Sequence, residues 1–144
     1  MIAVDTNILV YAHRRDLPWH AIAAHRLSAL AEGRELWAIP WPCAHEFLAK
    51  VTHPRIFNQA TKLEVALEFL GELARAPWMR FLGESDGYWP LLSRILKAGK
   101  VAGPMVHDAR IAALCLSHGV SVLWTADRDF GRFPDLAITN PLVG

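Results

Sequence analysis

Asp5 directly follows the apolar run Ile2–Val4, and Asp127 and Asp129 follow the stretch VSVLWTA in the same way. A carboxylate right behind a buried strand stands at that strand's C-terminal end, the edge where ligand crevices form in open α/β sheets. In a parallel sheet Asp5 and Asp127 share this edge. Two carboxylates in one cleft repel and raise each other's pKa until a cation neutralises them, so the chemistry this pattern offers is cation binding. Thr125, two residues before Asp127, adds a hydroxyl that can hold a carboxylate or a metal-bound water. The competing role for Asp5 is a plain helix N-cap, for which an Asp followed by Thr6 and Asn7 is well suited.

Asp108 lies in GPMVHDARIAALCLSHG, three residues before Ile111, on the flank of an apolar stripe that continues through Leu114 and Cys115. It sits near the start of a helix, where the macrodipole and free N–H groups also favour an acid for purely structural reasons. Glu46, in PCAHEFLAKV, falls on the helix face opposite Ala44, Phe47, Leu48 and Val51, where a Glu is ordinarily solvated. Only a cleft on that face would give it chemistry. The pair His45–Glu46 does not extend to the metalloprotease pattern H-E-x-x-H, because position 49 is Ala. His107 adjoins Asp108 and has the titration range of a proton shuttle, although an exposed or structural histidine accounts for it equally simply.

The elements that must position these groups alternate. Short apolar runs at 2–4, 36–41, 79–82, 120–124 and 136–139 read as strands, with VSVLW the clearest. Between them lie helical patterns: a short one over 7–12, one opened by Asp16 and Pro18 and closed by Gly33, and one from Cys43 to Val51. A fourth spans 61–76, with Thr61 and Glu64 in capping-box spacing. A fifth, capped by Ser85 or Asp86, reaches Ala98, and the last runs from Pro104 to Gly119. Strands separated by helices require crossover connections, hence a three-layer α/β/α sandwich around a mostly parallel sheet.

The whole chain of 144 residues has the length of one domain, which we expect to span 1–144. Hydrophobic residues make up 53% and charged residues 20%, which excludes a disordered chain and leaves apolar surface for a partner. A formal net charge of +1 provides no broad basic field, so nucleic-acid binding would rest on a local patch. Cys43 and Cys115 lack C-x-x-C spacing and read as buried thiols of a reducing compartment rather than as a zinc cage or disulfide. No basic leader and no membrane-length apolar run is visible, so the expected location is the cytoplasm.

Taken together, DTN after the first strand, the E-F pair on an early helix, HDARIAA, and TADRDF after a late strand resemble the PIN-domain ribonucleases. Within these they resemble the VapC toxins of bacterial toxin–antitoxin operons, over essentially the whole chain and in order. The resemblance implies an acidic quartet of Asp5, Glu46, Asp108 and Asp127, with Asp129 as an accessory carboxylate and Thr6, Asn7 and Thr125 as supporting groups. It also implies RNA as substrate, a cognate antitoxin and a homodimer. Oxygen donors without a Cys or His cluster suit Mg²⁺ or Mn²⁺, which would bridge protein to phosphate and lower the pKa of a bound water. On this reading Asp5 and Asp108 are direct ligands, and Asp127 and Glu46 ligate directly or position water. Asp5→Asn is expected to abolish cleavage and leave the fold intact.

Arg14, Arg15, Lys50, Arg128 and Arg132 neighbour these motifs and are candidates for holding RNA phosphates. The six Trp can stack on bases, but core and interface roles suit them better. Two other functions compete. An aspartyl-phosphate phosphatase would carry a second acid two residues after Asp5, where Asn7 stands, and a non-catalytic PIN-like module would bind RNA or protein without cleaving it.

Overall fold

The first strand of the chain becomes the middle strand of the sheet. A computed structural model, which describes residues 1–143, places β1 (Ile2–Val4) between β2 (Trp37–Pro40) and β4 (Val122–Trp124). The edge strands are β3 (Met79–Leu82) beyond β2 and β5 (Ile138–Thr139) beyond β4. Every pairing is parallel, so the expected mostly parallel sheet is wholly so. Helices α1 (Thr6–His13) and α2 (His20–Glu32) connect β1 to β2, and α3 (Trp41–Val51) and α4 (Leu63–Ala74) connect β2 to β3. Helices α5 (Tyr88–Ala98) and α6 (Met105–Ser117) lead to β4, and a 3₁₀ turn over Arg128–Arg132 leads towards β5. The result is the α/β/α sandwich.

Winding outward from β1 to β3 and then returning past β1 for β4 reverses the strand order between β1 and β4. Crevices open at such a switch point, outside the strand ends. Register sets the depth: Val4 pairs with Trp124, and the Asp5 N–H donates to the Trp124 carbonyl at 3.0 Å, so Asp5 lies beside Thr125. Full burial of Ala3, Val4 and all four residues of β2 keeps this edge rigid.

The turn that feeds β4 is a Schellman motif. Gly119 takes φ +71°, its N–H bonds the Leu116 carbonyl at 3.2 Å, and the Val120 N–H bonds that of Cys115 at 2.9 Å. A residue with a Cβ is strained there, so the Gly119 closing signal has a geometric cause. Upstream, Ala109 and residues 111–115 of α6 are buried, which holds the start of that helix, with Asp108, over the crevice.

Three helix starts differ from the sequence reading. Helix α2 begins at His20, after Trp19 and without a side-chain cap, because the Asp16 carboxylate turns to Arg14 at 2.7 Å. Helix α4 begins after Lys62 without the Thr61–Glu64 capping box, because the Thr61 hydroxyl meets His13 Nε2 at 3.0 Å and accepts from Arg14 at 3.3 Å. Helix α5 is entered through Gly87 at φ +85°, and neither Ser85 nor Asp86 caps it. In addition, α3 starts at Trp41, two residues earlier than expected, with Pro42 in its first turn.

Candidate metal centre

Asp5 takes the capping role that its sequence position offered, and does so at the edge of the crevice. As N-cap of α1 its Oδ1 accepts from the Thr6 N–H at 2.7 Å and from the Cys43 thiol at 3.4 Å. Its Oδ2 accepts from the Thr125 hydroxyl at 2.7 Å and the Asn7 amide at 3.2 Å. A carboxylate has about four lone-pair positions, so these four donors fill them. Direct ligation by Asp5 therefore requires a donor to give way, and the Cys43 thiol is the longest and weakest. Burial pushes the Asp5 carboxyl up, the bonds from Thr125, Thr6 and Cys43 pull it down, and the Glu46 charge adds a smaller rise, with a raised value as the result. With 4% of Asp5 exposed and Asn7 as a donor against it, the phosphatase reading loses its nucleophile.

Thr125 ties the sheet edge to the next loop. Its hydroxyl donates to Asp5 and accepts from the Asn7 amide at 3.2 Å and the Asp127 N–H at 3.0 Å. Asn7 in turn accepts from the Ala126 N–H at 3.0 Å. Asp127 caps the 3₁₀ turn by accepting from the Asp129 N–H at 2.9 Å, which folds Asp129 back towards the crevice. Carboxylate oxygens of Asp108, Asp127 and Asp129 then lie within 4.8 Å of one another. Burial and the charges of Asp127, Asp5, Glu46 and Asp129, in falling order, push the Asp108 carboxyl up to about 6. All four charges acting on it are negative.

Glu46 lies on the helix face that the wheel assigned to it, but that face borders the crevice and not open solvent. Its Oε2 accepts from the Thr6 hydroxyl at 3.1 Å, which links α3 to the start of α1. Sequence reasoning missed Cys43: burial and the neighbouring Asp5 charge raise its thiol far above the ordinary range, so it remains a neutral donor. Spacing to Glu46 gave no sign of this, because the contact spans 38 positions.

The acids come together and the cations do not. The Arg14 guanidinium is folded inward over the Phe57 ring at 4.2 Å, donating to the Gln59 carbonyl and Asp16, so this residue holds the 57–61 loop and is not an open phosphate contact. Arg15, Lys50, Arg128 and Arg132 are exposed, with Arg128 and Arg132 on the turn that carries Asp129. His107 is exposed beside Asp108.

Residues 2–136 match the family model described as PIN domain. The chain is 34% identical over 140 residues to Ribonuclease VapC48 of Mycobacterium tuberculosis, with 97% of each chain covered. The chain belongs to the PIN-domain family and, within it, to the VapC ribonucleases. Two solved structures share the fold of this PIN domain. VapBC2 from Rickettsia felis, bound to a DNA fragment from its promoter, aligns with TM-score 0.66 at 22% identity, covering 96% of this chain and 98% of the other. Mycobacterium tuberculosis VapC20, described as a sarcin–ricin loop cleaving toxin, aligns with TM-score 0.66 at 15% identity, covering 91% and 93%. Among the described residues no helix is long and apolar enough to cross a membrane.

Proposed function

We propose that the chain is the toxin endoribonuclease of a toxin–antitoxin pair and hydrolyses RNA phosphodiester bonds with the help of Mg²⁺ or Mn²⁺. The observation that carries this reading is the convergence of Asp108, Asp127 and Asp129 within 4.8 Å, with Asp5 and Glu46 close enough to shift Asp108. The donor set fits the ion: hard carboxylate oxygens in mutual repulsion, without thiol or imidazole among them. Asp108, Asp127 and Asp129 would hold it. When bound, it would neutralise the cluster, draw in the RNA phosphate and activate a water for in-line attack.

The remaining residues prepare this place. Asp5 orients the Thr125 hydroxyl, which fixes the Asp127 backbone and so the turn bearing Asp129. Asn7 braces the same loop, and Glu46, held by the Thr6 hydroxyl, adds negative charge from α3. Of the basic candidates, exposed Arg15, Lys50, Arg128 and Arg132 are the ones free to position the strand. The chain acts as one domain, in the cytoplasm, as a homodimer, and under control of a cognate antitoxin. Support comes from VapC48 as a full-length ribonuclease relative and from VapC20 and VapBC2 as fold neighbours.

Cleavage of a total cellular RNA pool by purified protein tests the reading, with Mg²⁺, with Mn²⁺, with chelator and with Asp108→Asn. Discrete products that need both metal and Asp108 are expected. Intact RNA with folded, inhibitor-free protein would return the chain to the class of binding modules.

A further inference from the structure

On the far side of Glu46 from Thr6, α3 and α6 leave a pocket of about 290 Å³ lined by Pro42, His45, Glu46, His107 and Arg110. The α3 residues recur at i, i+3, i+4 and the α6 residues at i, i+3, so one face of each helix builds it. Glu46 belongs to both places, since its carboxylate accepts from Thr6 while its side chain borders the pocket. The pocket therefore adjoins the crevice through Glu46, whose charge reaches Asp108.

The His45 ring that lines it ends a ladder of three rings. Phe81 stacks on Trp41 with centroids 3.9 Å apart and planes 11° apart, and Trp41 stacks on His45 at 5.9 Å and 23°. A Cβ on Gly83 would stand 3.3 Å from Cδ1 of Trp41, so the β3 exit packs against the indole edge and fixes its plane. Trp41 nevertheless remains 42% exposed. Opposite, Arg110 reaches Glu84 across 3.4 Å with both side chains open to solvent, a contact easily exchanged for another acceptor. A rigid aromatic tier, a guanidinium free to re-pair and an exposed imidazole suit a flat, edge-polar group. The pocket lies within reach of a base that flanks a phosphate on the acids.

We propose that this pocket receives a nucleobase of single-stranded RNA next to the phosphate held at the acid cluster, with the His45 ring, backed by Trp41 and Phe81, as stacking platform and Arg110 as polar contact. The proposal rests on the ribonuclease reading and names the residues that would select the flanking nucleotide. Base–aromatic stacking tolerates any base, and the edge contact from Arg110 supplies preference.

The test is equilibrium binding of short labelled single-stranded RNA oligomers of randomised sequence to the full-length protein, His45→Ala and Arg110→Met, alongside a map of cleavage sites in a mixed RNA substrate. Both substitutions lie at the surface, and an unchanged melting temperature checks the fold. His45→Ala is expected to raise Kd roughly tenfold. Arg110→Met is expected to relax the cleavage map at one position beside the cut. Equal Kd values and equal maps in all three proteins would overturn the proposal, as would no RNA binding by the wild type. The two readings separate in one measurement: RNA bound but never cut in the presence of metal removes the nuclease, and the Kd series still decides the pocket.

Discussion

Asp5 and Asp108 face one crevice, and the fold treats them oppositely. Asp5 is buried under four donors from α1, α3 and the β4 exit, so its carboxyl group is part of the folded architecture. Asp108 is half-buried, the charges that shift it are all those of acids, and its carboxyl rises to about 6. The first acid organises the loop that presents Asp127 and Asp129. The second leaves negative charge uncompensated in the chain itself, which is the condition under which a divalent cation gains most by binding. One carboxylate is anchored by the protein and the other awaits its counter-charge.

Replacing Asp108 should separate the two roles most sharply. Asp108→Asn removes a charge from a mutually repelling set, so we expect cleavage to fall by more than roughly hundredfold, beyond what an outer-shell substitution produces. The metal-free protein should melt no lower than the wild type, and higher near neutral pH, because repulsion is relieved. RNA cleavage and thermal melting without metal measure both. A variant that melts well below the wild type would show that Asp108 is held by contacts like those of Asp5, and the contrast would collapse.

Asp5→Asn should do the reverse in stability. An amide in place of the carboxylate turns an N–H₂ towards donors already committed to Asp5, stranding at least one of them. We expect a loss of about 1–3 kcal/mol together with loss of activity. This changes the expectation from sequence alone, in which the fold was left intact. Calorimetric or denaturant unfolding, compared with Asp108→Asn, gives the answer directly. A stabilised Asp5→Asn would mean that repulsion outweighs the four bonds.

How much of this contrast could be read from the residues depends on how local its causes are. The five strands stand where apolar runs bounded by turn signals put them, and the Gly119 turn announces itself because left-handed backbone selects Gly. Two of the missed helix starts, those of α2 and α4, have a common origin. Asp16 and Thr61 are good caps in isolation, but Arg14 recruits both, and a cap side chain bonded elsewhere no longer caps. At the crevice, Asp5 and Asp127 were legible because a parallel sheet aligns strand ends. Glu46 was not: its wheel position is right, but whether that face meets water or a neighbouring element is decided by packing of α3 against the rest. The Cys43–Asp5 contact is equally tertiary.

Acid titration tests the comparison more gently. The Asp108 carboxyl titrates at about 6 in the folded chain, against 3.8 for an unperturbed Asp. Between these values the folded state holds more protons than the unfolded one, so this group lowers stability as pH rises, and the penalty is complete above about 6. The raised Asp5 carboxyl acts with the same sign. Metal-free wild type should therefore lose a few degrees of melting temperature between pH 4 and 6 relative to Asp108→Asn, on the order of the shift that about 1 kcal/mol produces in a domain of this size. Added Mg²⁺ or Mn²⁺ should restore most of it. Parallel melting curves for the two proteins across that range would place the raised titration elsewhere.

Glu46→Gln is the smallest change and locates the boundary between the two kinds of acid. The amide oxygen can still accept from the Thr6 hydroxyl, so the α3–α1 link survives and the melting temperature should hardly move. The lost charge reaches Asp108 only as one of four, behind Asp127 and Asp5. A side chain that acts through field and through Thr6 should weaken metal binding by roughly tenfold, the scale of an outer-shell contribution. Calorimetric titration with Mn²⁺ reads this. A loss as large as that of Asp108→Asn would make Glu46 a direct ligand and move it to the unanchored side of the contrast. Unchanged affinity with altered cleavage positions would instead assign it to the neighbouring pocket, where its stem lies beside His45 and Arg110.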